Sequence, residues 1–358
     1  MECLERQRLQ RINIESPDEE IKRKIKSNWD MVAKPLDGMG KFEVLTAQIG
    51  AILRDESVDI SRKAVVIMCA DNGIVEEGIS QSGQEVTYLV AKNMGKRQSS
   101  VGRMAAFSGA DTIPVDIGIN TPLLIPGVLN RKIRQGTRNF KIEPAMTEAE
   151  AMKAIYVGME IVRECKEQGC RLLATGEMGI GNTTTSSAIA ASLLGCDVNE
   201  VTGRGAGLND EGLMRKIQVI QDAIERYDLY GAEPFLILQT VGGLDIAGLA
   251  GVCIGGAVYH IPIVLDGVIS MVAALVAEKL VPGTREYLIP SHIGKEPAMI
   301  NMSKALEMEP VIDGNLALGE GTGAVMLFPL LDMALEVYRE SSSFKEIKVE
   351  QYERYESI

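Results

Sequence analysis

The strongest constraint on this chain is a repeated alternation. A short apolar run gives way to a turn rich in glycine and acidic or hydroxyl residues, and then to a stretch with helical spacing. The apolar runs cover residues 64–69, 112–115, 172–175, 235–239, 263–265 and 288–289. They end in Asp71-Asn72-Gly73, Asp116-Ile117-Gly118, Gly176-Glu177, Gly242-Gly243, Asp266-Gly267 and Pro290-Ser291-His292. None shows a polar face, which is the pattern of parallel strands covered on both sides. Helical spacing fills the intervals 147–168, 184–194, 211–223, 268–278, 298–307 and 325–338. The first of these opens on a Thr147/Glu150 capping box and stops at Gly169. Strand, turn and helix repeated in this way predict an α/β chain with a doubly wound, mainly parallel, Rossmann-like sheet. Ligands of such sheets bind beyond the carboxyl ends of the strands, where the glycine and acidic turns fall.

Residues 1–58 have helical spacing throughout. We expect residues 59–295 to form the Rossmann-like domain that carries the glycine-rich turns at the strand ends. Residues 1–58 with 296–358 should form a smaller helical domain from both termini, packed over the sheet's edge, with the Glu320 loop returning to the site. The charged tail 341–358 should be peripheral. Residues 246–265 carry no charge over a span long enough for a bilayer. Gly248, Gly251, Gly255 and Gly256, the break at His260-Ile261-Pro262, and the bracketing Asp245 and Asp266 instead indicate a buried glycine-rich helix, a turn and a strand.

Charge excludes several functions. Lys and Arg number 37 against 49 Asp and Glu, a net charge of −12, which suits neither a nucleic-acid backbone nor an anionic membrane. The first twenty residues are charged and lack the apolar core of a signal peptide. Six scattered cysteines (Cys3, Cys69, Cys165, Cys170, Cys196, Cys253) form no C-x-x-C pair, so free thiols in a reducing cytoplasm are expected. No G-x-S-x-G elbow, H-x-x-x-H pair or Walker A lysine occurs. A Ser-His-Asp hydrolase and a metal centre are therefore not expected.

Glycine is abundant, at 36 of 358 residues, and is concentrated in a few loops. Gly176-Glu177-Met178-Gly179-Ile180-Gly181-Asn182-Thr183-Thr184-Thr185 leaves a strand and enters a helix. Backbone N–H groups at such a junction can hold an anion, and the alternative is a tight strand-to-helix turn. Thr202-Gly203-Arg204-Gly205-Ala206-Gly207 also precedes a helix and brings positive charge. It is either a second phosphate loop or a solvated surface loop. In Gly319-Glu320-Gly321-Thr322-Gly323 a carboxylate stands bare between glycines among apolar flanks. It is either a general base whose pKa burial raises or an exposed turn residue. Asp71-Asn72-Gly73 with Glu76 to Glu85 forms a fourth, polar loop. Of the two histidines, His260 reads as a packing residue, whereas His292 follows a strand end and can reach the site.

Together these loops resemble the nicotinate-nucleotide:dimethylbenzimidazole phosphoribosyltransferases, over most of the chain. The carriers are Ala70-Asp71-Asn72-Gly73 with Glu76-Glu77-Gly78, Pro114 to Gly118, Gly176 to Thr184, Gly203 to Gly207, and Leu318 to Ala324. The resemblance implies transfer of phosphoribose from nicotinate mononucleotide to an aromatic base, without metal or other cofactor, by a dimer. It makes Glu320 the catalytic carboxylate that takes the base's N–H proton, and Glu177 a second carboxylate that orients the ribose or stabilises its developing charge. It gives Gly176, Gly179, Gly181, Asn182, Thr183, Gly203, Arg204, Gly205, Lys216 and Ser291 to the 5′-phosphate and ribose, and Ser80, Gln84 and Met178 to the base pocket. The chain departs from the family's pattern at Asn72, where many relatives carry His, and over residues 95–101. The base can thus be a benzimidazole, a purine or a phenol, and the dimer one of like chains or of paralogues. The competing expectations are a silent paralogue that stabilises an active partner, against which the intact Glu320 argues, and a dinucleotide oxidoreductase, which would need the missing G-x-G-x-x-G fingerprint.

Overall fold

The computed structural model describes residues 6, 7 and 9–354; Cys3 and the last four residues of the tail lie outside it. In chain order the elements are α1 (Glu19–Met31), α2 (Lys41–Leu53), β1 (Lys63–Ala70), α3 (Glu85–Gly95), α4 (Ser100–Phe107), β2 (Ala110–Gly118), β3 (Leu129–Asn130), α5 (Glu148–Glu167) and β4 (Leu172–Met178). There follow α6 (Asn182–Leu194), α7 (Val198–Val201), α8 (Asp210–Tyr227), α9 (Pro234–Val241), α10 (Leu244–Tyr259), β5 (Ile263–Leu265), α11 (Val268–Leu280) and β6 (Leu288–Pro290). The last are β7 (His292–Gly294), α12 (Ala298–Ala305), β8 (Ile312–Leu316) and α13 (Thr322–Glu340).

A six-stranded sheet has the order β3-β2-β1-β4-β5-β6, and every pairing in it is parallel. The chain winds outward from β1 through β2 to β3, then returns to β4 and winds the other way. The direction of winding reverses between β1 and β4. Strand β1 is buried along its whole length. Alternate residues face opposite sides. Ala64, Val66 and Met68 join a core with Ile155, Ile189, Ile220, Leu249 and Met271. Val65, Ile67 and Cys69 join another with Trp29, Ile49, Met94, Val101 and Phe328. Helices from both termini therefore lie on one face of the sheet, beside α3 and α4. The Trp29 and Tyr338 rings stand 5.1 Å apart, Val32 bridges Ser343, and Arg354 pairs with Asp30 and Asp37.

The capping box at Thr147 and Glu150 is present. The uncharged stretch folds as α10, a turn at His260 with φ +53°, and β5. Helices α5 and α10 meet at their glycines, where a Cβ on Gly158 would strike the Gly248 carbonyl and one on Gly251 that of Ile155. Among the described residues no helix is long and apolar enough to cross a membrane. Cys69, Cys165, Cys170, Cys196 and Cys253 are free thiols.

Residues 235–239, expected as a strand, are instead the centre of helix α9. Pro234 sits at the first helical position, where its missing N–H costs nothing, and Gly242 ends the helix. Phe235, Leu238 and Val241 are buried at helical spacing, while Leu236 is 43% exposed. A short apolar run bounded by Pro and Gly fits either element, and here neighbouring helices decide it. A separate two-stranded parallel ribbon, β7 with β8, was not anticipated. It carries the chain from the end of β6 back to the strand ends.

Candidate active site

A cleft of about 270 Å³ opens at the carboxyl ends of β4 and β5. Its walls are the β4–α6 turn, the start of α11, the β7–α12 turn and the β8–α13 loop, with Glu177, Met178, Asn182, Thr183, Asp266, His292 and Glu320 among the lining residues. Two loops far apart in sequence thereby share one cavity.

The carboxylates converge here. Glu177 ends β4, and its Oε2 accepts from Asn182 Nδ2. The same amide nitrogen lies 3.2 Å from Asp245 Oδ2, so one Asn bridges two buried carboxyls. Burial pushes Glu177 up to about 8, helped by the negative charges of Asp245, Asp266 and Glu320 and opposed by Asn182. Burial also pushes Asp245 up to about 6, against hydrogen bonds from Ile246, Asn182 and Asn72. Two carboxylates this close in a dry site resist double ionisation.

Glu320 is held in an unusual backbone. Its φ is +63°, between Gly319 at +80° and Gly321 at +93°, three successive residues in the left-handed region. Only glycine visits that region freely, so a Glu there is strained and needs fixing by its surroundings. Asp266 fixes it: Oδ2 accepts from Gly321 N at 3.1 Å, and Oδ1 from Gly323 N at 2.8 Å and Ala324 N at 3.1 Å. From the end of β5 it thus caps α13. Beneath the loop, a Cβ on Gly176 would come within 2.5 Å of the Glu320 carbonyl oxygen, and one on Gly319 within 2.7 Å of Glu177 Oε1. The Glu320 side chain turns into the cleft, where Oε2 accepts from Val101 N at 3.3 Å. Burial raises its pKa, and the Val101 N–H opposes. His292 closes the wall, with Nδ1 2.9 Å from Ser291 Oγ; burial lowers its pKa and Asp266 opposes.

The other end of the cleft joins the start of α6 to the Gly203–Gly205 turn over a buried lysine. Gly181 (φ +95°) turns the chain into α6; the N–H groups of Asn182, Thr184 and Thr185 donate to the Gly179 and Gly181 carbonyls, and Thr183 faces the cleft. Lys216, buried in α8, reaches up to donate to Thr183 Oγ1 at 3.0 Å and to the Gly203 carbonyl at 3.1 Å. Burial depresses its pKa to about 8, against the pull of Glu296.

The predicted residues thus divide. Glu177, Met178, Gly179, Asn182, Thr183, Gly205 and Glu320 line the cleft, with Gly176, Gly181 and Lys216 just behind. Arg204 does not reach it: its guanidinium bonds the Leu208 carbonyl and Asp210 at the start of α8. Ser291 is buried, and its hydroxyl is used by the Leu265 carbonyl at 2.6 Å. Gln84 is held by the Asn72 carbonyl and Asn120, Ser80 accepts from Ser82 N, and neither lines the cleft. Gly203 packs under the Glu296 carboxylate. Asp245, Asp266, Ser270, Lys295 and Glu296 were not singled out from sequence. Asp266 alone gave a signal, as the acidic residue at a strand end.

A family model described as Phosphoribosyltransferase (DBI_PRT) matches residues 14–349. The chain belongs to this family. It is 44% identical over 337 residues to a nicotinate-nucleotide–dimethylbenzimidazole phosphoribosyltransferase of Ruminiclostridium cellulolyticum, covering 94% of this chain and 96% of the relative. It is 43% identical over 335 residues to the protein of that name in Clostridium acetobutylicum, covering 94% and 95%. The crystal structure of CobT from Thermus thermophilus superposes with a TM-score of 0.88 at 36% identity, covering 93% of this chain and 100% of that one. The resemblance to the phosphoribosyltransferases and the parallel α/β fold both stand.

Proposed function

We propose that this protein moves the phosphoribosyl group of nicotinate mononucleotide to a lower-ligand base, 5,6-dimethylbenzimidazole or a relative, giving an α-ribazole-type phosphate and nicotinate for cobamide assembly. The observation that carries the reading is that the Glu320 and Glu177 carboxylates face one cleft whose far end holds Thr183 and Gly205, with the buried Lys216 just beneath. Such a cleft suits a ribose 5-phosphate held between its charged end and its reacting carbon.

The donor's phosphate lies against the α6 N-terminus, Thr183 and Gly205, with Lys216 beneath. Its anomeric carbon then falls toward Glu177 and Glu320. The glycosidic nitrogen of nicotinate mononucleotide is cationic, so the leaving group departs with its bonding electrons as neutral pyridine nitrogen. The sugar left behind has oxocarbenium character. Glu177 sits where it can favour that charge: a cationic sugar opposite it lowers its pKa and draws out the carboxylate. The acceptor enters from the opposite face beside Val101 and Met178. Glu320 Oε2 takes its N–H proton as its other nitrogen bonds to the anomeric carbon, and the configuration inverts. Burial places the Glu320 pKa above that of an ordinary carboxylate, which makes it a stronger base. Arg204 has no part in this scheme and Ser291 acts only by holding His292. Ser80 and Gln84 support the Asn72 loop. The protein works in the cytoplasm, as a dimer of like chains or with a paralogue.

The test is turnover with nicotinate mononucleotide against a panel of benzimidazoles, purines and phenols, with product masses read out. An α-linked ribotide plus nicotinate is the expected result. Absence of product with every base, at a purity where the chain binds the donor, would favour the silent-paralogue reading instead.

A further inference from the structure

The cradle proposed for the donor's phosphate is already occupied by a side chain. Glu296, in the turn between β7 and α12, lays its carboxylate on the glycine loop: Oε1 accepts from Gly205 N at 3.1 Å, and a Cβ on Gly203 would lie 2.7 Å from its carboxyl carbon. Below the same loop is the Lys216 ammonium, fully buried, its Nζ on two neutral oxygens. Among the described residues no carboxylate lies within ion-pair distance of it, and Glu296 is the negative charge that acts on it. Buried cations need a compensating anion nearby, and in the free protein Glu296 supplies it.

We propose that Glu296 is a built-in competitor of the donor's phosphate, holding the cradle until a phosphomonoester displaces it. This rests on the phosphoribosyl reading above. A phosphate monoester brings up to two negative charges and three acceptor oxygens and has the advantage over a single carboxylate at the Gly205 N–H. A ligand without phosphate cannot displace the side chain and finds the cradle shut. The main chain need not move. The Glu296 carbonyl is anchored by the Met299 N–H at 3.1 Å, so the side chain alone rotates out toward solvent at the cleft's rim. Glu296 thus weakens the binding of phosphorylated ligands and leaves that of unphosphorylated ones as it is. The apparent affinity for a phosphate ligand is lowered by the fraction of molecules in which the carboxylate holds the loop.

The experiment compares wild type, Glu296→Gln and Glu296→Ala by titration calorimetry with nicotinate mononucleotide, nicotinate riboside and inorganic phosphate, with thermal melts to check folding. In both variants the mononucleotide and inorganic phosphate should bind about 5- to 10-fold more tightly, with riboside binding unchanged. Equal or weaker binding of the mononucleotide and phosphate by folded variants would overturn the proposal and make Glu296 a structural or ligand-holding residue. The inorganic-phosphate arm decides the matter even if the transferase reading fails, because it needs only the cradle. Failure of the transferase reading itself would show as a wild-type chain that binds phosphate but neither the mononucleotide nor any base.

Discussion

Glu320 gathers several costs at one residue: a left-handed backbone, a half-buried carboxylate and neighbours of like charge. Strain and desolvation of this kind are retained where they serve chemistry. Replacing Glu320 with Gln keeps the shape and removes the proposed base. Turnover should fall by about 10²- to 10⁴-fold, while the dissociation constant for the donor, measured by calorimetry, stays within about twofold. Parallel loss of both would assign Glu320 a structural role. Since the base acts ionised, kcat/KM should decline as pH drops through its raised pKa. Glu177 gives a different signature. Its pKa is pushed to about 8, against about 4.3 in an unfolded chain. The folded state therefore keeps a proton that the unfolded state loses, and stability falls as pH rises from about 4.3 to about 8. Glu177→Gln should flatten part of that fall. Urea midpoints at pH 5 and pH 8 should differ less in the variant than in wild type, and an unchanged difference would mean that Glu177 is ionised throughout.

Among the elements, the β8–α13 loop depends on one residue from another strand. Asp266 accepts three buried N–H groups at the start of α13. Asp266→Ala should cost about 3 kcal/mol in urea unfolding, through orphaned donors, and should also lower kcat, because the loop that presents Glu320 loses its anchor. A stable variant with wild-type turnover would show that the loop holds itself. The glycines, the carboxylates and the strand ends of this site were legible in sequence, because parallel strands end in polar turns whatever the tertiary detail. Asp245 and Glu296 were not, since neither lies at a strand end and each matters only through a partner more than sixty residues away. Arg204 misled for a related reason. A cation between glycines looks like a phosphate ligand, yet Asp210, six residues on, turns it aside. Helix α9 misled because its all-apolar centre carries no period that separates a buried helix from a buried strand.

At the scale of the molecule, the place of β1 inside the sheet decides which pieces fold together. Even-numbered residues of β1 belong to one core and odd-numbered ones to the other, so β1 is common to both. The terminal helices α1, α2 and α13 have no separate core of their own, since Trp29, Ile49 and Phe328 share theirs with Val65 and Ile67. This allows an intrinsic probe. Trp29 is the one tryptophan in the chain, fully buried, its Nε1 donating to Thr46 Oγ1 at 2.9 Å and its ring against Tyr338. Its fluorescence reports the terminal layer, whereas far-UV circular dichroism reports the whole chain. If the layer is part of the sheet's core, both signals should change at the same urea concentration, which is the mark of a single cooperative unit. An independently stable helical domain would instead lose Trp29 burial in a separate transition, with the remaining dichroism lost later. Because α13 begins at Thr322, two residues beyond Glu320, activity should disappear with the fluorescence change in either case. The loop that presents Glu320 is held by the same layer that buries the indole.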